Sequence, residues 1–235
     1  MTTFLLRHAS TSYSSRHQVN GDPSVSLPLD EEGVAACHRL RDTGTFSGAR
    51  TWIASAFPRA QQTALLLAGA TQRAFGVDPC LNEIDYGDFE GGPFLDYAAW
   101  LGRHGPWKRP PGSAESQREA LTRMVTGLQA ALTRRGPRVI VTHGLLVSLL
   151  TWALDEPPGT SVPLFFPEAP CLDPLVLADS RLRSLTVRLL DEIGVRPSHP
   201  RPTGGGWRES RQGGMPVVAT FDPLRTPPEE RSPHA

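Results

Sequence analysis

One pentapeptide limits the choice of fold more than any other stretch: Arg138-Val139-Ile140-Val141-Thr142, a continuous apolar strand that runs straight into His143-Gly144. A strand apolar on both sides belongs inside a parallel sheet covered by helices on both faces. Its flanks agree. A helical pattern from Glu115 to Leu132 puts Ala120, Leu121, Met124, Val125, Leu128 and Leu132 on one face, and Arg134-Arg135-Gly136-Pro137 breaks it. Another helix is expected from Leu145 to Leu154.

The same alternation runs back to the N-terminus. Residues 3–6 read as a strand and 9–29 as a polar loop with Gly21, Pro23 and Pro28. A helix follows to about Arg41, with Asp30 as its N-cap. Arg50 to Ala54 is a second strand, and Pro58 suits the first turn of the helix running to Ala68. Gly76 to Leu81 is a third strand, and a short helix is expected around 95–102. Strands alternating with helices predict an α/β fold: a three-layer α/β/α sandwich with a mostly parallel sheet. Leu185, Val187 and Leu189 alternate, which favours a strand over 182–190, and Met215 to Phe221 is a further strand. A single domain over 1–222 is expected, with a loop over about 194–214 and a disordered tail over 223–235.

Composition removes several functions. The chain has 235 residues, and Lys plus Arg equals Asp plus Glu at 24 each. A formal net charge of zero gives no bulk attraction to nucleic acid or an anionic membrane, so neither is expected as a partner. Three scattered cysteines suggest a reducing compartment and no metal site. No secretory signal or bilayer-spanning run is found, and a cytoplasmic location is expected.

The chemistry gathers at strand ends. The first strand ends in Arg7-His8, the second leads to Arg59 and the fourth ends in His143. In an open parallel sheet these ends converge on one edge, where ligands bind. Arg59 would stand in a first helical turn, where free backbone N–H groups favour an anion. Two Arg and two His together are costly without an anion, and a phosphoryl group fits the guanidinium fork.

These stretches resemble the histidine phosphatase (phosphoglycerate mutase-like) superfamily. Arg7-His8-Ala9-Ser10-Thr11 stands where that family has Arg-His-Gly-x-Thr. Ser55 to Ala64 is similar to its Ser-Pro-x-x-Arg-Ala-x-Gln-Thr-Ala. Glu83 ahead of Gly87-Asp88-Phe89-Glu90-Gly91, and Val139 to Gly144, complete the set in the family's order. The resemblance spans about residues 3–155. It implies that His8 is the nucleophile, that Arg7, Arg59 and His143 hold the phosphoryl oxygens, and that Glu83 is the proton donor. No cofactor or metal is implied. Glu90 and Asp88 read as parts of a structural turn rather than as acids.

The resemblance also implies substrate contacts at Thr11, Gly144, Ser14 and Asn20. Ser14 occupies a position where the family often has Asn, and Asn20 is an alternative from the following loop. Residues 92–112 would form a small lid, with His104 its best candidate for function; Trp100 and Trp107 either pack the lid or stack on a leaving group. Ala9 departs from the family's Gly and matters only if that residue needs a positive φ. Glu83-Ile84-Asp85-Tyr86-Gly87 differs from the Glu-Arg-x-Tyr-Gly of phosphoglycerate mutases and points to the phosphatase branch. The expected function is metal-independent hydrolysis of a phosphorylated small molecule through a phosphohistidine. A mutase or phosphotransferase, and a phosphoprotein-directed or non-catalytic phosphate-binding module, are the alternatives. Monomer and homodimer both stay open.

Overall fold

The computed structural model of the protein describes residues 1–69 and 74–194. Its five strands are β1 (Thr2–Arg7), β2 (Thr51–Ala54), β3 (Ala74–Val77), β4 (Arg138–Thr142) and β5 (Leu175–Ala178). They form one sheet in the order β3-β2-β4-β1-β5. All neighbours are parallel except β5, which runs antiparallel to β1. The helices are α1 (Glu31–Asp42), α2 (Pro58–Ala68), α3 (Phe94–His104), α4 (Gln117–Ala131), α5 (Gly144–Asp155) and α6 (Asp179–Gly194).

Side-chain parity divides the core. Leu5, Ile53, Ile140 and Leu177 point to one face, where they meet α4, α5 and α6. Leu6, Trp52, Val139 and Val141 point to the other and pack on α1 and α2. Successive strand residues alternate faces, so a strand apolar at every position feeds both layers. All five residues of β4 are buried. This is the expected three-layer sandwich. A third cluster, with Ile84, Tyr86, Tyr97, Trp100 and Leu101, seats α3 beside the sheet edge.

Three differences from the sequence reading have local causes. Residues 182–190 lie in a helix, not a strand: Leu182, Leu185, Leu189 and Ile193 are buried at helical spacing, while Val187 is 56 % exposed. Over so short a window the two periods coincide at Leu185 and Leu189. The third strand stops at Val77, because Pro79 has no N–H for a ladder and Asp78 caps a turn over Pro79–Leu81 instead. The edge strand β5 was not expected; only Leu177 of its four residues is buried, so its pattern is faint. The expected strand at 215–221 and tail at 223–235 lie outside the described residues, as does the expected loop beyond Gly194.

One buried ion pair ties this sheet to α6. Arg138 is 1 % exposed. It donates to Asp179 Oδ1 at 2.9 Å and to Thr3 Oγ1 at 2.8 Å, and Thr3 donates to the same carboxylate oxygen at 3.0 Å. Removing the acid leaves a buried guanidinium uncompensated. Asp179→Ala is expected to cost about 3 kcal/mol in urea-induced unfolding; a change below 1 kcal/mol would mean that the pair is solvated.

Candidate active site

The strand register brings the loaded residues together. Arg7 pairs with Thr142 across β1 and β4, and Ala54 with Val141 across β2 and β4. The ladder continues one step further, with His8 N donating to Thr142 O at 2.9 Å and Ser55 N donating to Val141 O at 3.1 Å. His8, Ser55 and His143 therefore emerge side by side at one edge. Arg59 reaches the same point from the first turn of α2, over the Phe57 ring.

Four of this group's hydrogen bonds fix its proton positions. Arg59 Nε donates to His8 Nε2 at 2.9 Å, so that nitrogen carries the lone pair. His8 Nδ1–H donates to Ala9 O at 2.8 Å. Arg59 Nη2 donates to His143 Nδ1 at 3.2 Å, and His143 Nε2–H donates to Ser55 Oγ at 2.8 Å. A guanidinium only donates and a carbonyl only accepts, so the two imidazoles are neutral in opposite tautomers. Burial, then the Arg59 charge, holds both well below the usual histidine value. Burial also brings Arg59 down to about 10, and it stays charged at neutral pH.

Glu83 lines the cleft in front of these groups. Burial raises its carboxyl above the ordinary value, while the Ile84 N–H and the charges of Arg59, Arg7 and Arg123 pull it back. Arg123, on α4, donates to the carbonyls of Cys80, Asn82 and Glu83 and forms a two-bonded pair with Glu115. It fixes the backbone that carries Glu83. Glu90 does similar work for Asn20: its carboxylate accepts from Asn20 Nδ2 at 2.6 Å and from Gly21 N at 2.7 Å. Gly21 has to be glycine, since a Cβ would stand 2.1 Å from Ile84 O. Among the described residues no group of His, Cys, Asp and Glu is placed to hold a metal ion.

Residues 3–183 match the family model of the histidine phosphatase superfamily (branch 1). This chain belongs to that superfamily. A 2,3-bisphosphoglycerate-dependent phosphoglycerate mutase from Methylobacterium sp. (strain 4-46) is 31% identical over 175 residues, which is 68% of this chain and 83% of the relative. The α-ribazole phosphatase of Shigella flexneri is 24% identical with a TM-score of 0.54, covering 67% of this chain and 81% of that one. A mycobacterial glucosyl-3-phosphoglycerate phosphatase is 24% identical with a TM-score of 0.54, covering 66% and 81%. The two structures share the fold. The superfamily comprises phosphatases and mutases, and this protein is one of its enzymes.

Against the family pattern, the expected site residues divide. Arg7, His8, Arg59, Glu83, Thr11, Ser14, Asn20 and Gly144 all line one cleft. His143 does not: it is fully buried behind Arg59, and both its ring nitrogens are engaged. Asn20 accepts from Arg59 Nη1 through its side chain and from Nη2 through its carbonyl, so it orients that guanidinium. Ser14 spends its hydroxyl hydrogen on Thr11 O at 3.0 Å. His104 is the clear correction. It is exposed on the last turn of α3 against Trp100 and takes no part in the cleft. Trp100 packs the lid segment, while Phe94, Tyr97 and Leu101 face the cleft. Ala9 keeps an ordinary negative φ, and its methyl is buried in the core.

Sequence reasoning missed Arg123 and Ser55 as supports, and it missed Glu168. That residue pairs with Arg7 Nη1 at 2.6 Å from a segment with no recognisable motif. Ser55 stood inside a quoted motif; Arg123 offered no signal beyond its charge. Among the described residues no helix is long and apolar enough to cross a membrane.

The neutral imidazoles set a pH dependence of stability. Their folded values lie below the ordinary 6.5, so the unfolded chain binds more protons as the pH falls below that point, and stability is lost. Each contributes up to about 1.4 kcal/mol per pH unit. The raised Glu83 acts in the opposite sense: its contribution is present below the ordinary carboxyl value and is lost as pH rises through the folded one. His8→Asn and His143→Asn are each expected to flatten the slope of unfolding free energy against pH between about 6.5 and 5 by up to one proton. Slopes equal to wild type would show that the imidazoles are not held neutral.

Proposed function

We propose that this protein is a metal-independent phosphomonoesterase that passes the phosphoryl group through His8. One observation carries this reading: His8 lines the cleft as a neutral imidazole, with its Nδ1–H anchored on Ala9 O. Its Nε2 lone pair accepts from Arg59 Nε, which has to turn to a phosphoryl oxygen and release that lone pair for attack. A neutral, oriented imidazole is what an in-line attack on phosphorus requires.

The steps follow from the positions of the groups. Nε2 attacks phosphorus as the ester P–O bond breaks, and Glu83 gives its proton to the departing alkoxide. Water then attacks the phosphohistidine, Glu83 takes up the water's proton, and phosphate leaves. Arg59 and Arg7, which both line the cleft, receive the non-bridging oxygens. The backbone N–H groups that open α5 at Gly144 add partial positive charge. His143 acts by holding Arg59. The raised carboxyl of Glu83 suits a group that must donate first and accept afterwards.

A phosphoglycerate mutase is the second reading, supported by the name of the 31%-identical relative. Against it stands Ile84, at the place where such mutases carry an arginine. It is 1 % exposed in an apolar cluster, so no cation stands there for a glycerate carboxylate. The expected substrate is a small phosphorylated molecule, because the cleft holds only about 260 Å³.

His8→Ala is expected to abolish phosphate release from phenyl phosphate, and an acid-free quench of wild type is expected to trap phosphate on His8. Glu83→Gln should lower kcat about 10²–10⁴-fold for alkyl esters. It should also remove the fall in kcat/KM as pH rises through the Glu83 value. Hydrolysis that persists in His8→Ala would end this reading. Faster transfer to an added alcohol than to water would favour the mutase.

A further inference from the structure

In the phosphomonoesterase reading, Arg7, His8 and Arg59 take the phosphoryl group, and the rest of the cleft receives the alcohol. The amide side chains of that wall face the protein. Gln18 Nε2 donates to Gly91 O and Gln117 Nε2 to Leu164 O, both at 2.9 Å. The Oε1 atoms of both glutamines, and Tyr97 Oη, are sealed from solvent. Asn20 is engaged by Arg59 and Glu90. Beyond Arg7 and Arg59, the one candidate cation among the described lining residues is His17, exposed at the mouth.

What the wall does offer a ligand is apolar. Phe94, the first residue of α3, is 40 % exposed and Phe165 is 46 % exposed, and both line the cleft. Leu145, Leu164 and Phe166 line it half-buried. Rings behind this surface hold it in place. Ring centroids lie 6.3 Å apart for Phe94 and Tyr97, 4.8 Å for Tyr97 and Tyr86, and 6.0 Å for Phe166 and Trp152. Single exposed apolar side chains are ordinary on a protein surface. Several gathered in one cleft with cationic groups mark a surface for a ligand that is charged at one end and apolar at the other.

We infer that the cleft takes phosphomonoesters of apolar, ring-bearing alcohols, with Phe94 and Phe165 as its specificity residues. This rests on the phosphomonoesterase reading. The phosphoryl group lies on Arg7 and Arg59, and the ring of the alcohol covers Phe94 and Phe165. That contact removes apolar surface of both partners from water and adds an aromatic pairing. A sugar-like alcohol would instead bring its hydroxyls out of water to a wall whose amides are already engaged, which costs binding energy.

The test has two arms on purified full-length protein. Benzyl phosphate and ribose 5-phosphate are both esters of a primary alcohol with a ring one carbon from the ester oxygen, so they differ chiefly in the polarity of the ring. Benzyl phosphate is expected to show a kcat/KM at least about tenfold higher. An equal or reversed preference overturns the inference. In the second arm the same ratio of kcat/KM values is measured in Phe94→Ser and Phe165→Ser. Each is expected to lower it about three- to tenfold, through a higher KM for benzyl phosphate. A ratio unchanged in both variants overturns the inference. Both side chains are exposed, so their loss takes little from the core, and a ratio of two substrates on one preparation is insensitive to partial misfolding. His8-dependent turnover of phenyl phosphate without a preference for benzyl phosphate leaves the phosphomonoesterase reading standing without this inference. If wild type hydrolyses none of the three esters, both fall.

Discussion

A guanidinium buried to 4 % exposure must find acceptors for its N–H groups, and the acceptors of Arg59 are the site itself. His8 Nε2, His143 Nδ1 and the side chain and carbonyl of Asn20 all accept from it. That one requirement sets both imidazole tautomers, holds the two rings at 5.2 Å between centroids and draws the loop after Val19 down to the sheet edge. The cost of the buried charge falls on the imidazoles, which stay neutral beside it. His8 is thereby held neutral by an electrostatic constraint rather than by a neighbouring base.

The supports of this arrangement are themselves charged or strongly bonded. Glu90 grips Asn20, Arg123 grips the backbone before Glu83, and Thr63 accepts from Ala9 N while donating to Arg59 O. Asp30 caps α1 and also accepts from Ser10 Oγ, which joins that helix to the turn just beyond His8. The residues after His8 are therefore over-determined, and an alanine methyl at position 9 fits where the family has glycine.

The sheet was legible because β4 is apolar on both faces, and a strand of that kind has few homes. The residues at the strand ends were legible because topology alone brings them to one edge. What the sequence hid were relations between segments far apart. Val187 completes an alternating triplet, yet its position on α6 turns it to solvent. His104 looked promising by its neighbours in sequence, but α3 ends away from the cleft. Nor does a sequence show that Ser55 and Arg59 engage both nitrogens of His143. Glu168 lies 161 residues from its partner Arg7 and carries no pattern of its own.

The two halves of the cleft differ in how they are held. Arg7, His8 and Arg59 sit at strand ends and in a helix first turn, which the sheet register fixes to one another. The rest of the cleft is walled by side chains from the loop at Gln18, from α3, from the start of α4 and from the segment around Leu164. None of these takes part in the sheet. Their amides are pinned locally, each by one backbone carbonyl, so changing such a side chain alters the wall without disturbing His8 or Arg59. A fold arranged in this way can keep one set of strand-end residues while the rest of the cleft wall varies at a few positions. That separation is consistent with phosphatases and mutases sharing the architecture found here.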